Sequence, residues 1–309
     1  MQILHAPDEL NASKDAVLTI GNFDGVHRGH QTLIKRTLAI SREKNMTSIV
    51  VTFWPHPRCV VAPQKTHHPL STRTRRAELL AALGIDILLE LPFTQDLANL
   101  SPESFVQRYL LPLRLRYLVT GYDFSLGKGR SGHTAELITI GERFGFCVEQ
   151  MPPLEDNGLI ISSTHLRALI TQGDVKQAAF LLGRFYDLEG EVIHGAGRGK
   201  GLGFPTANMK PPKTLLPAEG VYAAKAHLSQ DYPCLVNIGC NPTFGANALS
   251  IESYLLDTEA DLYGARLSLS FMERLRDEVA FPSQEALVQQ ITKDIANAKT
   301  IFQEQNESR

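Results

Sequence analysis

The chain has 309 residues, 43% of them hydrophobic and 21% charged, a globular composition that is long enough for two domains and excludes a disordered protein. A net charge of −2 leaves no general basic field to hold nucleic acid, so any phosphate recognition must be local. The opening segment lacks the basic-then-apolar form of a secretion signal, and no stretch nears the roughly 20 apolar residues that span a bilayer, which predicts a cytoplasmic protein.

In chain order, short apolar runs alternate with helical patterns up to about residue 150, which predicts a doubly wound parallel sheet. "AVLTIGNF" (16–23) reads as a strand, and "GHQTLIKRTLAISREK" as a helix with Leu33, Ile34, Thr37 and Leu38 on one face. "TSIVVTF" (47–53) is a buried strand, and "STRTRRAELLAALG" a helix capped by Ser71 and closed at Gly84. "IDILLELPF" returns to strand, and "SPESFVQRYLLP" is a helix with Ser101 as cap and Pro102 in the first turn. "YLVTGYDF" and "CVEQMPP" are further strands around the helix "GHTAELITIGERFG". Beyond Gly183 to Phe185 the pattern changes. "FYDLEGEVIHG", "GVYAAKAHL", "YPCLVNIG", "LSIESYLLD" and "ARLSLSFMERL" are strands without intervening helices, predicting an antiparallel barrel or sandwich closed by the helix "SQEALVQQITKDIANAKTIFQEQ". The expected division is therefore residues 1–183 and 184–309. Cys59, Cys147, Cys234 and Cys240 form no CxxC pair and are expected to be reduced structural thiols, and His67 and His68 read as a loop feature.

"GNFDGVHRGHQ" (21–31) falls where the first long strand turns into its helix. A helix N-terminus attracts anions, and doubly wound folds bind ligands at the carboxyl edge of the sheet. His27 and His30, three residues apart, can share one face of the first turn, and phosphate is their expected target, with a structural or solvent-exposed pair the alternative. Zinc lacks a third ligand at recognisable spacing. Neither a P-loop nor a dinucleotide fingerprint is present.

The second candidate region, "GAGRGKGLGFPTANM", has five glycines at alternate positions and reads as a flap over phosphate or as a flexible surface loop. Thr206 and Asn208 follow, two apart in a strand, with oxygen donors of the kind magnesium prefers. Glu252, in "SIESYLLD", is a candidate general base for phosphate transfer to a neutral hydroxyl, or else a surface ion-pair partner.

These motifs carry a resemblance. "GNFDGVHRGHQ" and "ISSTHLRALI" (161–170) are similar to the two signatures of the HxGH nucleotidylyltransferases. The resemblance implies an α/β Rossmann-like domain in which Gly21, Phe23, Asp24, His27, Gly29 and His30, with Ser162, Ser163, Thr164 and Arg167, bind ATP phosphates. Such adenylyl transfer needs no general base, because the phosphate nucleophile is already ionised, so both histidines are expected to stabilise charge. "GFPTAN", "GVYAA", "VNIGCNPTFG", "IESYLLD" and "LYGARLSLSFMERLR" resemble the riboflavin kinase domain, a small β-barrel. That implies Glu252 as base, Thr206 and Asn208 at Mg2+-ATP, and Gly199, Gly201 and Gly203 over the nucleotide. Both halves in this order resemble the bacterial bifunctional riboflavin kinase/FAD synthetase family, and "TFWPHPR" and "GYDFSLGKGRSG" look like family segments. His56, Asp123 and Asp174 are thereby implied at the flavin and adenine sites. The implied activity phosphorylates riboflavin to FMN and adenylylates FMN to FAD. ATP, riboflavin and FMN are the expected partners, with neither nucleic acid nor membrane, and a homo-oligomer is left open. The rivals are an adenylyltransferase for another phosphorylated precursor and a flavin-binding regulator that has lost activity.

Overall fold

The computed structural model describes the chain except residues 12, 157, 195–200, 202, 241–248, 259–261 and 308–309. It divides into two compact units, Met1–Ser163 and Thr164–Arg309.

The first unit contains β1 (Gln2–Leu4), β2 (Ala16–Ile20), α1 (Arg28–Glu43), β3 (Thr47–Trp54), α2 (Pro57–Val61), α3 (Arg73–Ala82), β4 (Ile87–Pro92), α4 (Gln95–Ala98), α5 (Pro102–Phe105), β5 (Leu115–Thr120), α6 (Thr134–Phe144) and β6 (Cys147–Gln150). Its sheet runs β1-β4-β3-β2-β5-β6, and every pairing is parallel. Strands buried on both faces read as unbroken apolar runs, and all five residues of β2 are buried. Val17, Val50 and Leu88 face Leu33, Ile34, Leu38 and Leu80 of α1 and α3, while Leu18, Ile20, Ile49 and Val51 face Phe105, Leu110, Leu137 and Ile140. The sheet is therefore covered on both sides, as the alternating pattern predicts.

β2 lies between β3 and β5, so successive strands step away from it in opposite directions. Such a switch point leaves a crevice at the carboxyl end of the strand. The segment 21–31 occupies that position.

A short β7 (Glu155–Asp156) and β8 (Leu159–Ile160) make a two-stranded ribbon that the sequence reading does not contain, and neither does it contain the edge strand β1. β2 also ends at Ile20, three residues before the predicted Phe23, which turns out of extended conformation at φ 48°. The cap of α3 is Thr72, which accepts from Arg75 N–H, and not Ser71, whose hydroxyl accepts from Gly25 N–H instead.

α7 (Ser163–Gln172) starts on the last residue of the first unit and continues into the second, followed by α8 (Val175–Leu182). The second unit continues through β9 (Tyr186–Ile193), β10 (Ala207–Met209), β11 (Gly220–His227), β12 (Asp231–Cys240), β13 (Leu249–Leu255), β14 (Arg266–Arg276) and α9 (Gln284–Glu307). Six strands close into an antiparallel barrel in the order β10-β13-β12-β11-β14-β9. Closure brings β9 onto β10 so tightly that a Cβ at Gly190 would lie 2.5 Å from Met209 Cγ, so glycine is required there. Tyr222 and Phe271 pack edge to face inside, and the Tyr222 hydroxyl donates to Ala218 O. Outside, Ala298 and Phe302 of α9 cover Val221, Ala223, Leu235 and Met272.

Candidate functional site

In the first unit the site is built on a strained turn. Phe23 and Val26 hold positive φ angles of 48° and 41°, conformations costing about 1–3 kcal/mol each that persist only where surroundings enforce them. The enforcement is visible. Asn22 O accepts from Thr52 Oγ1 at 3.2 Å and Arg76 Nη1 at 3.0 Å. Asp24 Oδ1 accepts from Leu70 N–H at 2.9 Å and Ser71 N–H at 3.3 Å. Asp24, expected at phosphate, thus has its carboxylate on the backbone of residues 70–71.

The turn places three rings together. His27 caps α1, its Nδ1 accepting from His30 N–H at 3.3 Å. The two imidazoles stack at 3.6 Å, and Phe23 meets His30 edge to face at 5.2 Å. Burial, reinforced by the adjacent His27 ring, holds the His30 imidazole well below the ordinary value of 6.5, so it is neutral at pH 7. His30 Nδ1 is enclosed with no hydrogen-bond partner among the described residues. An enclosed polar nitrogen at a helix N-terminus suits a hydrogen-bonding ligand such as a phosphate oxygen.

Gly21 and Gly29 act through closeness. A Cβ at Gly21 would lie 3.2 Å from the Phe23 ring; one at Gly29 would lie 3.2 Å from the His27 ring and 3.3 Å from Ile161 O. Ser163 Oγ is 3.4 Å from Asp24 O, so the start of the second signature reaches the first within this unit. Ser162 is half-buried beside it, whereas Thr164 (exposed) and Arg167 (half-buried) belong to the second unit.

His56 caps α2 by accepting from Arg58 N–H at 3.2 Å, and its ring stacks on His67 at 4.1 Å. That pairing gives the His67 loop a contact that spacing alone does not reveal. Asp123 is exposed in the turn after β5, and Asp174 caps α8 by accepting from Gln177 N–H at 3.0 Å.

In the barrel, register assembles the other group. Asn208 of β10 stands opposite Glu252 of β13, and Glu252 opposite Asn237 of β12. Directly opposed residues share a face, so these three form one row across three strands. Phe204 packs edge to face on Tyr254 at 5.5 Å, joining "GFPTAN" to "IESYLLD" a second time. Asn208 is buried and its Oδ1 has no hydrogen-bond partner among the described residues. A hard, enclosed oxygen beside a carboxylate fits a magnesium ligand, and half-buried Thr206 lies two residues before it. Gly201 and Gly203 are exposed with open space at their Cβ positions, Gly203 at φ 84°; Gly199 lies outside the described residues. Cys59, Cys147 and Cys234 are free thiols.

The sequence reading misses Arg76, Glu90 and Asn237. Arg76 carries a signal: it shares the buried stripe of α3 with Leu80, four residues on, where a charge is out of place.

Comparison with known proteins agrees with this layout. Residues 9–165 match the FAD synthetase family model and residues 182–302 the riboflavin kinase family model. The bifunctional riboflavin kinase/FMN adenylyltransferase of Listeria monocytogenes is 37% identical, over 93% of this chain and 92% of its own. That of Pseudomonas fluorescens is 38% identical over 93% of each chain. A crystal structure described as a macrolide-efflux protein from Streptococcus pneumoniae aligns with a TM-score of 0.89 at 29% identity, over 96% of this chain and 98% of that one. Among the described residues here, no helix is long and apolar enough to cross a membrane. Two family models matched in the order of the two motif sets, and full-length relatives above one-third identity, show that the chain belongs to the bifunctional riboflavin kinase/FMN adenylyltransferase family.

Proposed function

We propose that this chain makes FAD from riboflavin in two ATP-dependent steps, with FMN formed in the barrel and adenylylated at the 21–31 turn. The observation that carries the reading is that each motif set contains an enclosed polar atom with no hydrogen-bond partner among the described residues, His30 Nδ1 in one and Asn208 Oδ1 in the other. The paired family matches do not favour an inactive regulator or an adenylyltransferase for another precursor. The adenylyltransferase is assigned residues 1–183 and the kinase residues 184–309, although helices α7 and α8 pack with the barrel's unit. The proposed location is the cytoplasm.

In the barrel step, Glu252 accepts the proton of the ribityl 5′-hydroxyl as that oxygen bonds the γ-phosphorus of ATP and ADP leaves. Thr206 and Asn208 offer oxygens to magnesium, which when bound neutralises charge on the phosphates. Gly199, Gly201 and Gly203 cover the nucleotide. In the second step the ionised phosphate of FMN bonds the α-phosphorus of ATP, and the bond to pyrophosphate breaks without a general base. The α1 N–H groups, His27 and His30 donate to the phosphate oxygens, and Ser162, Ser163, Thr164 and Arg167 hold the departing pyrophosphate. Because burial keeps His30 neutral, its contribution is a directed N–H dipole before it is a charge. His56, Asp123 and Asp174 are assigned to the flavin and adenine.

The test is to incubate the full chain with riboflavin, ATP and magnesium and separate the flavins by chromatography. FMN followed by FAD is expected; appearance of neither overturns the reading.

A further inference from the structure

Arg76 and Glu90 are a buried charged pair that neither proposed step uses; their residues are 5% and 4% exposed. Arg76 Nη2 donates to Glu90 Oε1 at 2.6 Å and to Phe53 O at 3.2 Å, while Nη1 donates to Asn22 O at 3.0 Å. Arg73 pairs with the other carboxylate oxygen, Glu90 Oε2. Removing two charges from water offsets their attraction, so such a pair is a poor way to stabilise a fold compared with apolar packing. What the planar guanidinium adds is direction: it binds two backbone carbonyls and a carboxylate at once, which a lysine ammonium does not reproduce.

The two carbonyls are significant. Asn22 immediately precedes the strained Phe23 that starts the phosphate turn. Phe53 lies three residues before His56, in the strand end leading to the segment assigned to flavin. We propose that Arg76 is a positioning residue for adenylyl transfer: held by Glu90, it ties the phosphate turn to the flavin-side strand end and so sets how ATP and FMN face each other. The inference rests on the reading of His27, His30 and His56 given above.

Trp54, the sole tryptophan of the chain, supplies a local reporter. It follows Phe53, and the Arg73 and Arg76 guanidinium carbons lie 5.9 and 6.0 Å from its ring centre. A change in the Arg76 fork is therefore expected to alter Trp54 emission.

The experiment compares wild type, Arg76→Lys, the apolar double variant Arg76→Met/Glu90→Met, and His27→Ala, all as full chains. Both Arg76 variants are expected to lower kcat for FMN to FAD at least tenfold, with KM for ATP and FMN each within threefold. Riboflavin phosphorylation stays at the wild-type rate, and Trp54 emission changes. Wild-type FAD formation by Arg76→Lys, with His27→Ala inactive, overturns this inference alone. Raised KM values at unchanged kcat, or equal loss of both activities, also overturn it, since these mark a binding or a purely structural role. FAD formation untouched by His27→Ala overturns the site reading, and the inference with it.

Discussion

His27 Nδ1 accepts the backbone N–H of His30, so the first histidine of the pair caps the helix that carries the second. An accepting Nδ1 requires the proton on Nε2, so protonation of His27 removes the cap as well as changing the charge. For His30 the linkage has a definite sign. Its pKa in the folded chain is depressed below 6.5, so unfolded chains bind the proton first as pH falls. Stability is therefore expected to decline from about pH 6.5 downward until the folded pKa is reached. Urea midpoints between pH 5 and 8 check this, and His30→Asn is expected to flatten the slope in that window.

Glu252→Gln is expected to reduce FMN formation by about 10²–10⁴-fold, the usual contribution of a general base, while FMN is still converted to FAD. Separate assays starting from riboflavin and from FMN measure the two steps. Loss of both would contradict the assignment of the base to the barrel alone.

Because Asn208 Oδ1 makes no hydrogen bond among the described residues, Asn208→Ala is expected to change stability by about 1 kcal/mol or less. The same change is expected to raise the magnesium and ATP concentrations needed for half-maximal kinase rate. Thermal melts without nucleotide, set against kinase titrations, show whether stability and activity separate in this way.

Gly29→Ala sets two effects against each other. Alanine favours a helix by about 1 kcal/mol over glycine, yet its Cβ would crowd the His27 ring and Ile161 O. Melting temperature is expected to stay near wild type while FAD formation falls, because the imidazole is the part able to yield.

Asp24 distinguishes a structural carboxylate from a phosphate-binding one. Asp24→Ala leaves two buried N–H groups without their acceptor, and a loss of about 1–3 kcal/mol is expected. Asp24→Asn keeps an acceptor oxygen and is expected to retain most stability. Denaturant unfolding of the two variants checks the difference.

Much of the architecture was legible because both kinds of sheet leave a period in the sequence. The apolar runs 47–53 and 85–93 announce a parallel sheet, and turn-punctuated strands without helices after Phe185 announce the barrel. Phe23 was misread because an apolar residue beside a strand looks like strand, whereas here it leaves the sheet to place its ring against His30. Ser71 and Thr72 are adjacent hydroxyls with equal claim to cap α3, and only the demand of Gly25 N–H separates them. The row Asn208–Glu252–Asn237 depends on strand register, which no local pattern encodes. Arg76 sits beside Arg73 and Arg75, whose charges suit a solvated helix face, and only its four-residue spacing from Leu80 sets it apart from them.

The strained turn at 21–31 also bears on redesign. Its two non-glycine residues at positive φ keep that shape because Thr52, Leu70, Ser71, Arg76 and Ser163 reach it from elsewhere in the chain. The same eleven letters grafted onto another strand-to-helix junction would relax and release the strain, and the two imidazoles would part. A segment that identifies the site so readily is thus not portable; moving it means moving its distant anchors with it.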